Sequence, residues 1–181
     1  LLIVFGIQNL KPRPVEIAQI IEVKTNPGMT TTVNLPDGSV VHLNSESKLS
    51  YPSFFDKDKR RVTLQGEAFF EVQKDPEHGF VISTPHETKI EVLGTSFNVE
   101  AFEKDDFVST TLIEGKVRFD YMKNRQSTAV LMKPGQKLTY DSSSSRIQLI
   151  ETNGESEIAW KDGKVVFHAT PLPEALRMLE K

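Results

Sequence analysis

The chain has 181 residues, of which 38% are hydrophobic and 26% are charged, as in a soluble globular protein. This length is enough for one well-buried domain, or for one domain and a small appendage. The formal net charge of −3, with lysines and arginines scattered along the chain, argues against nucleic-acid binding. The absence of cysteine excludes disulfide frameworks, thiolate metal sites and cysteine nucleophiles.

The first 19 residues differ in character from the rest of the chain. Residues 1–6, LLIVFG, are uninterruptedly apolar, but a bilayer crossing needs about 20 such residues. The segment fits either an N-terminal strand or the end of a membrane span. Residues 8–19 are mostly polar and contain Pro12 and Pro14, a composition that is typical of a stiff tether.

Residues 20–150 are predicted to form one all-β domain. Short runs with alternating apolar and polar residues follow one another, and turn signals separate them. In the turn Leu35-Pro36-Asp37-Gly38 the proline presets φ at the first turn position, and the glycine accepts a positive φ. We therefore expect residues 33–35 and 41–43 to form a hairpin.

Glycines recur between these runs, at Gly66, Gly94, Gly115 and Gly135. An offset of 28 residues superposes Gly66 on Gly94 and Phe69 on Phe97, and the next two offsets are 21 and 20 residues. Each pair of runs is expected to fold about its glycine. The repeat predicts a mainly β fold, either a sandwich or a solenoid-like stack of short antiparallel strands.

Two local patterns lead to expectations about exposure. The charge run at residues 56–61, DKDKRR, is typical of a solvated turn between strands. Phe54 and Phe55 are adjacent and would point to opposite faces of a strand, so one of them is expected to be exposed. Most of the other phenylalanines of the alternating runs are expected in the core; these runs contain Phe69, Phe70, Phe97 and Phe102.

The C-terminal part is predicted to form a separate small unit. Residues 151–158 are polar and are interpreted as a linker, and residues 159–181 as the truncated beginning of an α+β lobe. Within this lobe we predict a turn at 160–163, a strand at 164–167, and a helix with Thr170 as N-cap and Pro171 at its first position. The apolar stripe of this helix consists of Leu172, Ala175, Leu176 and Leu179.

Motifs for enzymes, metals or cofactors are missing. Glu67 and Glu71 lie an even number of residues apart, so they could share a strand face as the paired carboxylates of a glycoside hydrolase would. A polar strand face gives the same pattern and is the preferred interpretation. The histidines are too dispersed for a ligand motif; they are His42, His78, His86 and His168. We therefore expect no hydrolase activity, no metal and no cofactor.

Five motifs, occurring in one order along one domain, resemble the FecR family of anti-sigma factors. They are LPDGS at 35–39, LN at 43–44, GEAFFEV at 66–72, VLGTSFNV at 92–99 and PG at 134–135. The resemblance covers residues 20–150 and continues into the tail at Trp160, Asp162-Gly163 and Thr170-Pro171-Leu172.

The resemblance implies the periplasmic domain of a single-pass inner-membrane protein, with residues 1–19 as the end of the membrane span and its tether. A cytoplasmic segment outside this sequence would hold an extracytoplasmic-function sigma factor. The periplasmic part would contact the signalling domain of a TonB-dependent outer-membrane receptor. The alternative is a carbohydrate-binding or adhesion β-module, which would need several exposed aromatic residues on one face.

Gly94-Thr95 is the one peptide bond with a candidate reaction. In a strained turn the threonine hydroxyl can attack the preceding carbonyl in an N-to-O acyl shift: an ester forms as the Gly94–Thr95 amide bond breaks and frees the Thr95 amine, and water then hydrolyses the ester. The resemblance adds that some family members are split at this pair. The preferred interpretation is that Gly94 only repeats the bend at Gly66.

Candidate partner-binding residues lie in the C-terminal lobe; they are Val165, Phe167, Leu172, Leu176 and Leu179. An isolated strand and helix are not stable alone, so the helix is expected to pack on the β domain, pair with a neighbouring molecule or stay mobile. By resemblance, the complete lobe is like the receptor's own signalling domain, and an open sheet edge there could accept a strand from that domain.

Overall fold

The computed structural model of the chain describes residues 17–123 and 126–166, together with Leu172 and Leu176. This part contains thirteen strands, followed by a short helix α1 (Glu155–Ile158) and a 3-10 turn (Ala159–Asp162). The strands are β1 (Ile20–Lys24), β2 (Thr31–Asn34), β3 (Val40–Leu43), β4 (Lys48–Pro52), β5 (Lys59–Glu71), β6 (Gly79–Thr84), β7 (Thr88–Val92), β8 (Ser96–Ala101), β9 (Phe107–Glu114), β10 (Val117–Lys123), β11 (Gln126–Met132), β12 (Gln136–Asp141) and β13 (Arg146–Glu151). The predicted mainly β fold is confirmed.

The strands form one curled sheet that folds over itself as two layers, and the long strand β5 belongs to both. Layer 1 has the order β1-β4-β5-β6-β7-β10-β11, and layer 2 has the order β2-β3-β5-β8-β9-β12-β13. Successive hairpins are added to the two layers in turn, which combines a sandwich with a solenoid-like stack. The pairing of β5 with β6 is parallel, and the other pairings in the described residues are antiparallel.

The four repeated glycines lie where the chain crosses from one layer to the other. Gly66 lies inside β5, whose residues 59–65 pair in layer 1 and whose residues 66–71 pair with β8 in layer 2. Gly94, Gly115 and Gly135 each follow a strand of one layer and precede a strand of the other.

The expectation that each run folds into a hairpin about its glycine is therefore wrong. Alternation shows which residues of a strand share a face, but it does not show which strands pair. Two runs joined by a hairpin turn therefore have the same pattern as two runs joined by a crossing between the layers. At 33–43 the predicted hairpin is confirmed, with Val33 opposite Val41 and a turn closed by the Gly38 N–H on the Leu35 carbonyl.

The hydrophobic core fills the space between the two layers. The rings of Phe70 in layer 2 and Phe80 in layer 1 lie 6.3 Å apart, as do those of Phe119 in layer 1 and Tyr140 in layer 2. All four phenylalanines of the alternating runs are buried, but only Phe70 and Phe97 belong to the core between the layers. Phe54 and Phe55, by contrast, are both half-buried, because residues 53–58 form a bend and not a strand, so no alternation separates them.

The C-terminal residues differ from the prediction in two places. The segment predicted as a linker contains α1, and residues 164–166 of the predicted strand form no strand. Leu172 and Leu176, the two described positions of the predicted final helix, are helical. None of the helices in the described residues has the length and apolar character that a bilayer crossing requires.

Candidate functional site

The aspartate of the LPDGS turn pairs with a buried arginine. Asp37 Oδ2 accepts a hydrogen bond of 2.7 Å from Nη1 of Arg60, whose side chain is only 4% exposed. Arg60 also donates to the carbonyls of Gln73 and His78, both at 2.9 Å, and its guanidinium lies 5.4 Å from the centre of the Phe80 ring. This network fixes the turn on the beginning of β5.

The interpretation of residues 56–61 as a solvated turn is therefore wrong for its last part. Asp56, Lys57 and Asp58 are exposed, but β5 begins at Lys59, and Arg60 points into the protein. A local run of charges gives no sign of this, since the partner carboxylate of Arg60 lies 23 residues earlier in the chain.

Three further motifs meet on the outer face of layer 2, at a cluster formed by Asn44, Glu67 and Asn98. Asn44 Nδ2 donates to Glu67 Oε2 and Asn98 Nδ2 donates to Glu67 Oε1, both at 2.9 Å. All three residues are buried, and Glu67 is 7% exposed. The amide donors compensate part of the cost of burying a carboxylate. We call these residues the amide–carboxylate cluster.

Glu67 and Glu71 share this face, as the alternation predicts, but they have different surroundings. Glu71 is more exposed, and its Oε2 lies 3.1 Å from Nε2 of His42. Each carboxylate thus has its own set of partners. The polar strand face accounts for both glutamates.

The loop at residues 44–47 docks on the crossing at Gly66. Ser47 Oγ accepts a hydrogen bond of 2.8 Å from the Glu67 N–H, and the Asn44 N–H donates to the Glu67 carbonyl at 2.9 Å. Gly66 has φ of 104°, and a Cβ placed on it would lie 2.7 Å from the Cα of Ser47. Only glycine allows so close a contact between the loop and β5.

Gly94 and Thr95 lie in the bend between β7 and β8, against the next crossing. The buried Thr95 hydroxyl donates to the Lys116 carbonyl at 3.0 Å and accepts from the Lys116 N–H at 3.4 Å. A Cβ on Gly94 would lie 2.6 Å from the Cα of Lys74, and one on Gly115 would lie 2.8 Å from the Gly94 carbonyl oxygen. This packing explains why both bends have glycine.

Hydrogen bonds also fix the loop that contacts Gly94. The Asp75 N–H donates to the Leu93 carbonyl at 2.8 Å. The Asp75 carboxylate accepts from the backbone N–H groups of Glu77 and His78, and its Oδ2 lies 2.8 Å from His78 Nδ1. The side-chain contact with His78 is the main reason why the pKa of Asp75 lies below its ordinary value of 3.8.

The C-terminal segment, residues 152–166, lies over the outer face of layer 2. Lys161 Nζ is 3.8 Å from the centre of the Phe69 ring, and Glu157 forms an ion pair of 3.3 Å with Lys137 on β12. A Cβ on Gly154 would meet the side chain of Ile113. Phe69 thus points away from the core, and the fact that only 4% of it is exposed reflects this cover.

The predicted partner-binding residues are only partly described. Val165 is 46% exposed, Leu172 is 71% exposed and Leu176 is 51% exposed. Phe167 and Leu179 lie outside the described residues. The structure therefore presents three of the five side chains to solvent, and it shows no described neighbour covering the two leucines.

The described residues contain no exposed aromatic side chain, since each is buried or half-buried. The platform that a carbohydrate-binding module would need does not occur in this part of the chain. In the same residues, no group of three or more histidine, aspartate or glutamate side chains is placed to hold a metal ion.

Sequence reasoning missed the residues that join the motifs to each other. Asn44 and Asn98 stand inside recognised motifs, but their common partner Glu67 is 23 and 31 residues away from them. The available signal was the polar residue Glu67 at an alternating position of a strand. This signal does not by itself distinguish a glutamate with buried partners from one on a solvated face.

Comparison with known proteins agrees with the motifs. The family described as FecR protein matches residues 21–118. Two crystal structures of a candidate anti-sigma factor from Parabacteroides distasonis ATCC 8503 are similar to this chain, both with a TM-score of 0.81. The first is 31% identical, and the match covers 90% of this chain and 74% of that protein. The second is 32% identical, and the match covers 88% of this chain and 73% of that protein. Among curated proteins, none matches. The chain belongs to the FecR family.

Proposed function

We propose that this chain is the periplasmic signal-relay part of a single-pass anti-sigma regulator. Family membership supports an anti-sigma regulatory role, and the match over 90% of the chain to a candidate anti-sigma factor is the observation that carries the proposal. In the proposed role, an upstream span anchors the chain in the inner membrane. A cytoplasmic segment binds an extracytoplasmic-function sigma factor, and the periplasmic part contacts the signalling domain of a TonB-dependent outer-membrane receptor.

The β domain suits a relay because its motifs serve the scaffold. Asp37 is engaged by Arg60, and Glu67 by Asn44 and Asn98. A relay needs a rigid scaffold and a surface whose contacts differ between two signalling states, and it needs no active site. Self-cleavage at Gly94-Thr95 is a separate hypothesis, which this role does not require.

The exposed leucines of the C-terminal lobe support its use as the receptor contact. Leu172 and Leu176 are one helical turn apart and both are more than half exposed, so they present an apolar stripe on one face of a helix. Val165, also exposed, precedes them in the chain. Such a stripe is typical of a helix that packs against a partner.

Calorimetry with a purified receptor signalling domain tests the proposal. We expect saturable binding to this chain, tighter binding to a longer chain that completes the lobe, and weaker binding for Leu176→Asp, which places a charge in the stripe. Met29→Asp is the matched control, because Met29 is 56% exposed and lies between β1 and β2. Equal affinities for the two chains, or an unchanged affinity for Leu176→Asp, would place the contact on the β domain.

A further inference from the structure

Each of the two layers ends in two edge strands, and three of these four are poorly suited to pair with another copy of themselves. In β2 only four residues are available. A two-fold axis through the middle of β1 would place Glu22 opposite Glu22, and like charges directly opposite each other are destabilising. Pairing of β13 with itself would place a charged residue opposite an apolar one. Depending on the residue at the axis, Arg146 would face Ile150 or Glu151 would face Ile147.

The fourth edge strand, β11, lacks the usual protection. Its seven residues, QSTAVLM, contain no charge and no proline. Its ladder with β10 runs from Gln126 to Met132 without a register shift, so no bulge twists the edge away. Within the described residues β11 pairs on one side only. Natural proteins usually protect such edges with charges, prolines or bulges, because an open edge accepts another strand.

The side chains of β11 complement those of a second, antiparallel β11. Ser127, Ala129 and Leu131 are exposed on the outer face, and Leu131 is 75% exposed. A two-fold axis through Ala129 and perpendicular to the sheet keeps each face on its own side. It places Ser127 opposite Leu131 of the second copy, and the small Ala129 next to its own copy at the axis.

The inner face agrees with the same register. Thr128 would lie opposite Val130 of the second copy, and paired β-branched residues stabilise neighbouring strands. Val130 already packs against the hydrophobic core, so a second strand would extend this packing past the edge. No charged residue of β11 faces another at any position of this register.

We propose that two copies of this chain associate through antiparallel pairing of β11 with β11, centred on Ala129, so that layer 1 continues across the two-fold axis. The occupant of the edge is a second copy of the chain, since the strand complements itself without charge conflict. This association is independent of the receptor contact proposed above.

A charge-swap experiment tests the pairing. Light scattering during size-exclusion chromatography should give twice the chain mass for the unchanged protein, with the dimer fraction rising with concentration. Ala129→Glu and Ala129→Lys each place like charges at the axis, so each variant alone should have its association constant lowered by about tenfold or more. An equimolar mixture of the two variants should restore the dimer, because opposite charges then meet at the axis.

Thr63→Glu is the matched control, since Thr63 is exposed on the same outer face but lies on the central strand β5. It should leave the dimer unchanged. An unchanged protein that stays monomeric up to its solubility limit would overturn the proposal. So would a dimer that neither Ala129 variant weakens, or a mixture of the two variants that stays monomeric while both give the far-ultraviolet circular dichroism of the unchanged chain. A strand of another protein would then be the remaining occupant of this edge.

Discussion

Arg60 and Arg118 each pair with an aspartate, but in different surroundings. The Arg60 side chain is 4% exposed and the Asp37 side chain 13% exposed, whereas the Arg118 side chain, which binds Asp120, is 54% exposed. A charge whose partner is removed in a buried site stays uncompensated, while an exposed charge is solvated by water. The same kind of ion pair should therefore contribute very differently to stability.

Arg60→Met should lower the free energy of unfolding by about 3 kcal/mol or more, because Asp37 then keeps its charge without its main partner. Arg118→Met should lower it far less, because water solvates the exposed Asp120 pair partner when the arginine is removed. Urea unfolding followed by circular dichroism measures both. Equal losses for the two variants would show that the Asp37–Arg60 pair has no special role in fixing the LPDGS turn.

Thr95 is the other residue whose surroundings decide between two interpretations. Its hydroxyl is engaged by Lys116, and Gly94 is packed closely against the backbone of Lys74. These contacts account for the glycine without a reaction. We therefore expect intact-mass spectrometry of purified protein to give a single full-length mass after prolonged incubation. Two masses that meet at Gly94-Thr95, reduced to one by Thr95→Ala, would show the acyl shift instead.

At the scale of the elements, the main feature of this fold is the set of crossings between its two layers. At Gly66, a side chain would meet the loop of Ser47, and the positive φ adds strain for any other residue. Gly28 also has a positive φ, of 71°, but a Cβ there would meet nothing within 4 Å. The two glycines thus separate backbone strain from close contact.

Gly66→Ala should lower the free energy of unfolding by about 2–3 kcal/mol, since it adds overpacking to the strain. Gly28→Ala should cost about 1 kcal/mol, which is the strain alone. Denaturant unfolding of the two variants measures the difference. A loss at Gly66 no larger than that at Gly28 would mean that the 44–47 loop moves aside easily.

The strands and most of the core could be predicted from the sequence, because alternation is a local property. The strand position of Val33 and the core positions of Phe70 and Phe97 follow from the pattern of their immediate neighbours. The crossings could not, since the contacts of Gly94 come from Lys74 and Gly115, about 20 residues away on either side. Residues 164–166 are part of a short apolar run that predicts a strand, but such a run alone supplies no partner strand.

The candidate site shows the same division. The motifs identified the family, but only the fold shows that Asn44, Glu67 and Asn98 form one cluster. Composition predicted exposure for Arg60, because charged residues are seldom fully buried. The burial of Arg60 depends on acceptors from two other parts of the chain, the turn of Asp37 and the loop that contains Gln73 and His78.

At the scale of the whole molecule, the C-terminal segment links the proposed receptor contact to the β domain. The segment lies on layer 2, where Lys161 covers Phe69 of β5, next to Asn98 in the amide–carboxylate cluster. The Thr152 N–H donates to the Gly135 carbonyl at the start of the segment, and the other described contacts that hold it are side-chain contacts. In the proposed relay, a change at the receptor contact would therefore reach β5 through this segment.

Lys161→Met keeps the apolar stem and removes only the charge above the Phe69 ring, so it tests whether the cation holds the segment. A partly exposed cation–π contact contributes about 1 kcal/mol. Hydrogen exchange in residues 155–162 should become faster by the corresponding factor, while exchange in β5 and β8 stays unchanged. Lys104→Met is the matched control, because Lys104 lies 5.7 Å from the Phe102 ring at another part of the surface. If exchange becomes faster by the same factor in β5 and in the segment, the two open as one unit. If exchange in residues 155–162 does not change, other contacts hold the segment, and Lys161 is not the link.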